Sequence, residues 1–410
     1  MELTVDRRWD LVDRIAKETV EVGTYKPTLR DAIADVTVRP ATGIPFAIAI
    51  IYGFWMFFGT FAGFFTDGFF VKIFGDHYIP WLAEVFPGKG TWLFNIFVGD
   101  PAVFTPGFLG DINFAAGGLL TTGLFLAIGI VLPAVIAFYL VISLLEDIGY
   151  LPRLAVLIDG LMHKIGLHGY AIVPTILSLG CNVPGVTATR TLETRKQRFM
   201  MMVLLGVFIP CGAQIGMMEA LVPHMIGFVF LALIIGYFVV GFILNKIWPG
   251  ESPEILIDVP PYRRATWGNI WRKMWTRTSR FLVVAVPFML LGCVIVSVMY
   301  ITGAMDVLGN AMSPVFGAFG LPNETAAPLV AGFLRKDLAI GLLGGIQLSG
   351  WQMFTSVVLL SIYFPCLAVF ALMIKEQNWK EIPATLGVLF ATVFIYGGVL
   401  RLIGTGLGVT

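Results

Sequence analysis

A helix that crosses a bilayer needs about 20 consecutive, predominantly apolar residues. This chain holds seven stretches of that kind, at about 42–64, 117–146, 199–222, 225–246, 281–301, 353–374 and 384–405. Lipid offers no partner to a bare amide or carbonyl, so each stretch must satisfy its backbone internally, as a helix. Composition agrees: 57% of the 410 residues are hydrophobic and 13% are charged, with a mean hydropathy of +0.86, against about 25% charged in soluble domains. The expected class is an all-α polytopic membrane protein with the lipid bilayer as its first partner. A net charge of +1, without a basic face, excludes nucleic acid.

Two more blocks, about 170–189 and 324–346, are apolar but interrupted: one by Pro174, Ser178, Gly180, Asn182 and Pro184, the other by Pro328, Gly332, Arg335, Lys336, Asp337 and Gly341. Lys and Arg in short loops mark the cytoplasmic side. Arg153 and Lys164 precede the first block and Arg190, Arg195, Lys196 and Arg198 follow it, so both of its flanks read as cytoplasmic. Residues 302–323 and 347–352, flanking the second block, contain neither Lys nor Arg and read as external. Both blocks are therefore expected to re-enter rather than cross. The N-terminus then lies inside and the C-terminus outside. The polar start carries no signal-peptide core, and the expected location is the cytoplasmic (inner) cell membrane.

Sliding the chain on itself by 154 residues superposes Pro133 on Pro287, Gly149 on Gly303, Gly166-Leu167 on Gly320-Leu321 and Pro174 on Pro328; one inserted residue later, Pro210-Cys211 falls on Pro365-Cys366. Ordered matches at one offset indicate an internal repeat, and the charge assignment has the two units entering from opposite sides. The expected fold is two inverted-topology repeats with re-entrant segments and Pro-broken helices, an arrangement that holds substrate near the bilayer midplane. The organisation is a cytoplasmic amphipathic segment at 1–40, a first transmembrane helix and external loop at 41–112, repeats at 113–247 and 281–410, and a cytoplasmic linker at 248–280. In the first segment Trp9, Val12, Ile15, Ala16 and Val20 recur at helical spacing among charges.

The candidate chemistry lies at the interruptions. Gly180-Cys181-Asn182-Val183-Pro184-Gly185 sets a thiol and an amide beside carbonyls that Gly and Pro release from the helix. Cys211 and Cys366 each follow a proline, whose missing N–H leaves a carbonyl unbonded. Thiolate and oxygen donors together suit Fe²⁺ and equally Zn²⁺, Mn²⁺ or Co²⁺. Against this, a free cysteine is commonly a small buried hydrophobe, the reading that fits Cys293. Asp337 is an ionisable group at membrane depth, functional by default, or else paired with Arg335 or Lys336. Glu146 and Asp147 end a span, as a solvated helix end or as a cation vestibule. The four histidines fall at expected loops or interfaces without metal-site spacing, and Pro87-Gly88-Lys89-Gly90-Thr91 lacks the phosphate-loop pattern. No catalytic constellation is visible, so no enzyme activity is expected.

At these residues the sequence resembles the membrane (Gate) domain of the ferrous iron transport protein B (FeoB) family over nearly its whole length. The resemblance rests on Leu145-Glu146-Asp147-Ile148-Gly149-Tyr150, Gly180-Cys181-Asn182-Val183-Pro184, Ala188-Thr189-Arg190-Thr191-Leu192, Cys211-Gly212-Ala213, Phe333-Leu334-Arg335-Lys336-Asp337 and Pro365-Cys366, in order. It implies a Gate fold related to nucleoside-transporter cores, uptake of Fe²⁺ as substrate with no permanently bound cofactor, and Cys181, Cys211 and Cys366 as metal-path positions. Asn182, Asp337 and Glu146 complete the candidate set. Pro210 and Ala134 stand where that family often has Ser and Gln. Members usually carry an N-terminal GTP-binding domain, and this sequence begins where that domain would have ended. The resemblance therefore implies a separately encoded G protein at the cytoplasmic face, or transport without one. A homo-oligomer is compatible with the sequence. The competing readings are a carrier of another divalent metal or of a nucleoside-like solute, and a non-transporting anchor for a G protein.

Overall fold

The structure, a computed structural model, describes residues 12, 14–15, 17–19, 29–86, 91–99, 118–250, 262–333 and 336–408. Most of the expected amphipathic segment, Trp9, Ala16 and Val20 included, lies outside the described residues, as does all of 100–117.

Among the described residues seven helices are long and apolar enough to span a membrane: Pro40–Leu82, Leu119–Ile148, Arg195–Glu219, Ile226–Ile247, Trp267–Met299, Gly350–Glu376 and Glu381–Gly406. This is a multi-pass membrane protein. The first helix departs from expectation, because it continues past 64 through wide turns at Thr66–Phe70 and Ile73–Tyr78 into Ile79–Val85. Two contacts hold the extension against the second span: Thr66 Oγ1 donates to the Gly129 carbonyl at 2.9 Å, and the Phe74 and Phe125 rings lie 5.5 Å apart. The acidic residues of 65–85 thus sit on a helix rather than on a loop.

Two largely enclosed helices form the centre. From Phe199 to Phe208 every side chain is buried, and Val357–Ile362 are buried in the same way. A helix apolar all round belongs in a core, whereas Ile48, Ile51, Phe64, Phe228 and Leu402 on the outer spans are exposed and cover the lipid-facing perimeter.

The elements recur in order. Tyr150–His163 is answered by Ala304–Gly317, Gly169–Ala171 by Asn323–Thr325, Gly212–Leu221 by Leu367–Glu376, and the starts at Ile172, Asn182, Arg195 and Ile226 by Ala326, Lys336, Gly350 and Glu381. The glycines paired by the sequence offset share a conformation too. Gly149 and Gly303 have φ of 88° and 69°, and Gly166 and Gly320 have 75° and 81°. At these helix ends a left-handed residue is required, which glycine supplies without a Cβ clash.

In each interrupted block, residues on either side of the interruption come into close contact. In the first, Ile172–Gly180 ends at an extended Cys181 (φ −154°, ψ 132°) and Asn182–Ala188 follows. A side chain on Gly185 would collide with Ser178 Oγ and lie 3.1 Å from the Pro174 carbonyl oxygen, although a continuous helix would separate 174 from 185 by roughly 16 Å. In the second, a side chain on Gly332 would lie 3.3 Å from Ala339 Cβ. Gly185→Ala is expected to destabilise the protein by about 1–3 kcal/mol, the usual cost of overpacking, read as a lower thermal midpoint in detergent. An unchanged midpoint would show that the two half-helices are not closely packed.

Candidate functional site

Two spans stop and restart near mid-length. Arg195–Phe208 gives way to Gly212–Leu221 across Ile209-Pro210-Cys211, and Gly350–Ile362 gives way to Leu367–Glu376 across Tyr363-Phe364-Pro365-Cys366. Both cysteines take extended backbone, with ψ of 164° at Cys211 and 152° at Cys366. The extended Cys181 in the first interrupted block makes a third such position.

These three positions, up to 185 residues apart in the chain, line one cavity of about 110 Å³. That is room for several waters or a hydrated ion. Asn182, Gln214 and Lys336 supply its polar side chains; Val131, Ala134, Val135, Phe281, Phe288 and Met289 are among its apolar walls. Backbone oxygens approach as well: a side chain at Gly212 would meet the carbonyl oxygens of Gly180 and Leu179 at 3.3 and 3.5 Å.

The amide of Asn182 ties two breaks together. Its Nδ2 donates to the Ile209 carbonyl at 3.1 Å, while its buried Oδ1 has no hydrogen-bond partner among the described residues. An unmet buried acceptor costs about 1–3 kcal/mol, a cost that a bound cation would remove. Lys336, also in the lining, is 6% exposed and its Nζ donates to the Ser361 carbonyl at 2.6 Å. Gln214 Nε2 donates to Ser361 Oγ at 3.0 Å, and that hydroxyl donates to the Val357 carbonyl at 2.7 Å. Among the described residues no three His, Cys, Asp or Glu side chains converge tightly enough to enclose a metal ion. The thiols share the cavity without meeting at one point.

Of the sequence candidates, Cys181, Asn182, Cys211 and Cys366 are thus brought together. Glu146 is not. Lys273 Nζ and Arg277 donate to its two carboxylate oxygens at 3.1 and 2.7 Å, an ion-pair corner that also includes Asp147. The side chain of Asp337 and the whole of Leu334 and Arg335 lie outside the described residues. Cys293 is buried and away from the cavity lining. His168 lies on the connection before Gly169–Ala171 and is buried there, with a ring nitrogen 2.6 Å from Gln197 Nε2.

Sequence reasoning passed over Gln214, Ser361 and the placement of Lys336. With Glu146 36% exposed, Glu146→Gln is expected to cost no more than about 1 kcal/mol, with the loss shrinking at high salt. Metal binding at the cavity should be unchanged, as read by titration of the purified protein.

A second set of contacts fixes the linker. Arg263 N–H donates to the Ile148 carbonyl at 3.1 Å, and Thr266 N–H to Asp147 Oδ2 at 2.8 Å. Arg153, 1% exposed, donates to the Gly149 carbonyl at 2.6 Å, and the Tyr262 ring covers its guanidinium at 3.6 Å. Tyr262 in turn donates to Thr37 Oγ1 at 3.0 Å.

Fold and cavity define a multi-pass membrane protein whose interrupted helices face a common interior space. The family model described as nucleoside recognition (Gate) matches residues 128–225 and 282–380, and that of the ferrous iron transport protein B C terminus matches 226–277. Among curated relatives, the Fe(2+) transporter FeoB of Methanocaldococcus jannaschii is 25% identical, over 92% of this chain and 59% of its own length. That of Staphylococcus aureus is 28% identical over 78% and 54%. A Porphyromonas gingivalis protein described as an Fe(2+) transport protein A/Fe(2+) transporter FeoB fusion is 27% identical over 68% and 31%. The chain spans three-fifths or less of the length of these relatives. No solved structure matches it. The chain belongs to the ferrous iron transport protein B family, as its membrane (Gate) domain. The matched segments are membrane segments, and the GTPase activity of the family resides in a separate G domain.

Proposed function

We propose that this chain carries ferrous iron into the cell through the cavity at its helix interruptions. The observation that carries the reading is the gathering of Cys181, Cys211 and Cys366, each at a helix break, on one cavity. In this reading a partly dehydrated Fe²⁺ meets the thiols, deprotonated as it binds, together with the free Oδ1 of Asn182 and carbonyls left open at the breaks. Such a mixed sulfur and oxygen set suits borderline divalent ions, so Mn²⁺, Zn²⁺ and Co²⁺ are the competitors to test.

The element-by-element recurrence and the shared left-handed glycines support two structural repeats. The charge asymmetry of the loops favours inverted topology, with the two interrupted blocks entering from opposite faces as re-entrant segments and prolines breaking the central spans. It also favours the inner membrane with the N-terminus inside and the C-terminus outside, and a cytoplasmic linker at which a separately encoded G protein docks. A nucleoside-like solute is disfavoured by the sparse polar lining, in which Asn182, Gln214 and Lys336 are the amide and charged groups among the described residues.

The test is anaerobic Fe²⁺ entry into liposomes holding the purified chain, with Mn²⁺ and Zn²⁺ as competitors. Entry above protein-free vesicles supports the reading. A chain that binds no Fe²⁺, alone or with cytosolic extract and GTP, would overturn it.

A further inference from the structure

Among the described side chains lining the cavity, Lys336 is the cationic one and runs against cation binding. It is the first residue of the helix Lys336–Leu343, as Asn182 is the first of Asn182–Ala188, and the repeat offset of 154 lays one on the other. Each donates from its side chain to a carbonyl at the interrupted span of its own repeat: Asn182 to Ile209 at 3.1 Å and Lys336 to Ser361 at 2.6 Å. The Ser361 carbonyl needs such a donor, since it lies four residues before Pro365, the position whose N–H would otherwise close the helical bond. The paired donors are thus a neutral amide in the first repeat and an ammonium in the second, and they reach different carbonyls: Ile209 immediately precedes Pro210, whereas Ser361 lies four residues before Pro365. Among the described side chains, which do not include that of Asp337, no carboxylate lines the cavity.

From this pairing the geometry points to a tethered ion: the Lys336 ammonium stands in for the transported cation while the cavity is empty. An arriving divalent ion repels Nζ and draws it off Ser361, and the carbonyl so released becomes an oxygen ligand for the ion. Lys336 is then a positioning residue that holds the Pro365 break shut until a cation of higher charge displaces it. The inference rests on the transport reading above.

The test uses the full chain in liposomes, with Lys336→Gln, which gives the second repeat the amide of the first and keeps a donor for Ser361, and Lys336→Arg, which keeps the charge. Cys366 is left as the sole thiol by Cys→Ser changes at 181, 211 and 293. Its labelling by a cationic methanethiosulfonate is compared with that by a neutral one of similar size. The expected result is that the cationic reagent reacts at least about tenfold more slowly when position 336 is the native lysine or carries the Lys336→Arg change, and that the difference disappears in Lys336→Gln. With all four cysteines present, Lys336→Gln should bind Co²⁺ about tenfold more tightly than wild type. Equal reagent ratios in all three proteins, or unchanged Co²⁺ affinity, would overturn the inference. A charge effect on labelling in a chain that never admits Fe²⁺ would count against the transport reading and not against Lys336 as the cavity's resident cation.

Discussion

Replacing Cys181 by Ser is expected to reduce Fe²⁺ entry into liposomes by more than tenfold, with Cys211→Ser and Cys366→Ser close behind. A serine hydroxyl has nearly the volume of the thiol but remains protonated where a metal-bound thiol does not, so the ion loses an anionic soft donor while the packing survives. Losses of about 10–100-fold accompany even outer-shell changes at metal sites. Cys181 should be the most sensitive, because its neighbour Asn182 bridges to the Ile209 carbonyl in the adjoining break, so that disturbance there reaches two interruptions at once. Cys293→Ser supplies the control: buried, and away from the cavity lining, it should leave entry within about twofold. If all four substitutions behaved alike, the thiols would be ordinary core residues and the ion path would lie elsewhere.

Arg153→Ala is expected to destabilise the protein by about 3 kcal/mol or more. The change removes a charge-assisted bond to the Gly149 carbonyl, worth about 1.5–3 kcal/mol, and a desolvated contact with the Tyr262 ring, worth about 2 kcal/mol. It also leaves a large void where a buried side chain stood. Tyr262→Leu should cost less, and a double-mutant cycle between the two should show coupling of about 1–2 kcal/mol, the range for residues in contact. The readout is unfolding in detergent followed by tryptophan emission. A loss below about 1 kcal/mol for Arg153→Ala, with no coupling, would mean that the linker is not anchored through this contact.

Hydropathy located all seven spans, five of them to within four residues at each end, because length and apolarity are local properties; the fifth starts at Trp267 rather than near 281, where Arg272, Lys273, Arg277 and Arg280 read as a linker. It failed at the first span's end: Phe69, Phe70, Val71, Ile73 and Phe74 continue the helix, but Asp67, Lys72 and Asp76 among them read as a loop. Glycine and proline marked the interruptions, and the repeat offset related Cys211 to Cys366. Their meeting with Cys181 on one cavity is a long-range outcome that spacing alone does not dictate. Lys336 shows the limit most clearly. In the sequence its nearest partner is Asp337, one residue away. In the fold its bond goes to Ser361, whose carbonyl is open because of Pro365. The clue was present in the offset that sets Asn182 against Lys336, but it acquires meaning only once both side chains are seen to reach across to a break.

The breaks at Pro210 and Pro365 bear on how fast such a protein can cycle. Bending an uninterrupted helix in lipid strains main-chain bonds worth about 4–6 kcal/mol apiece in an apolar medium, a resistance that every sequence shares. At Ile209 and Ser361 the carbonyls are held by the side chains of Asn182 and Lys336. The stiffness of the two central spans is therefore set by two codons. If the chain transports as proposed, substitution at those positions is expected to change turnover while the rest of the bundle is left as it is.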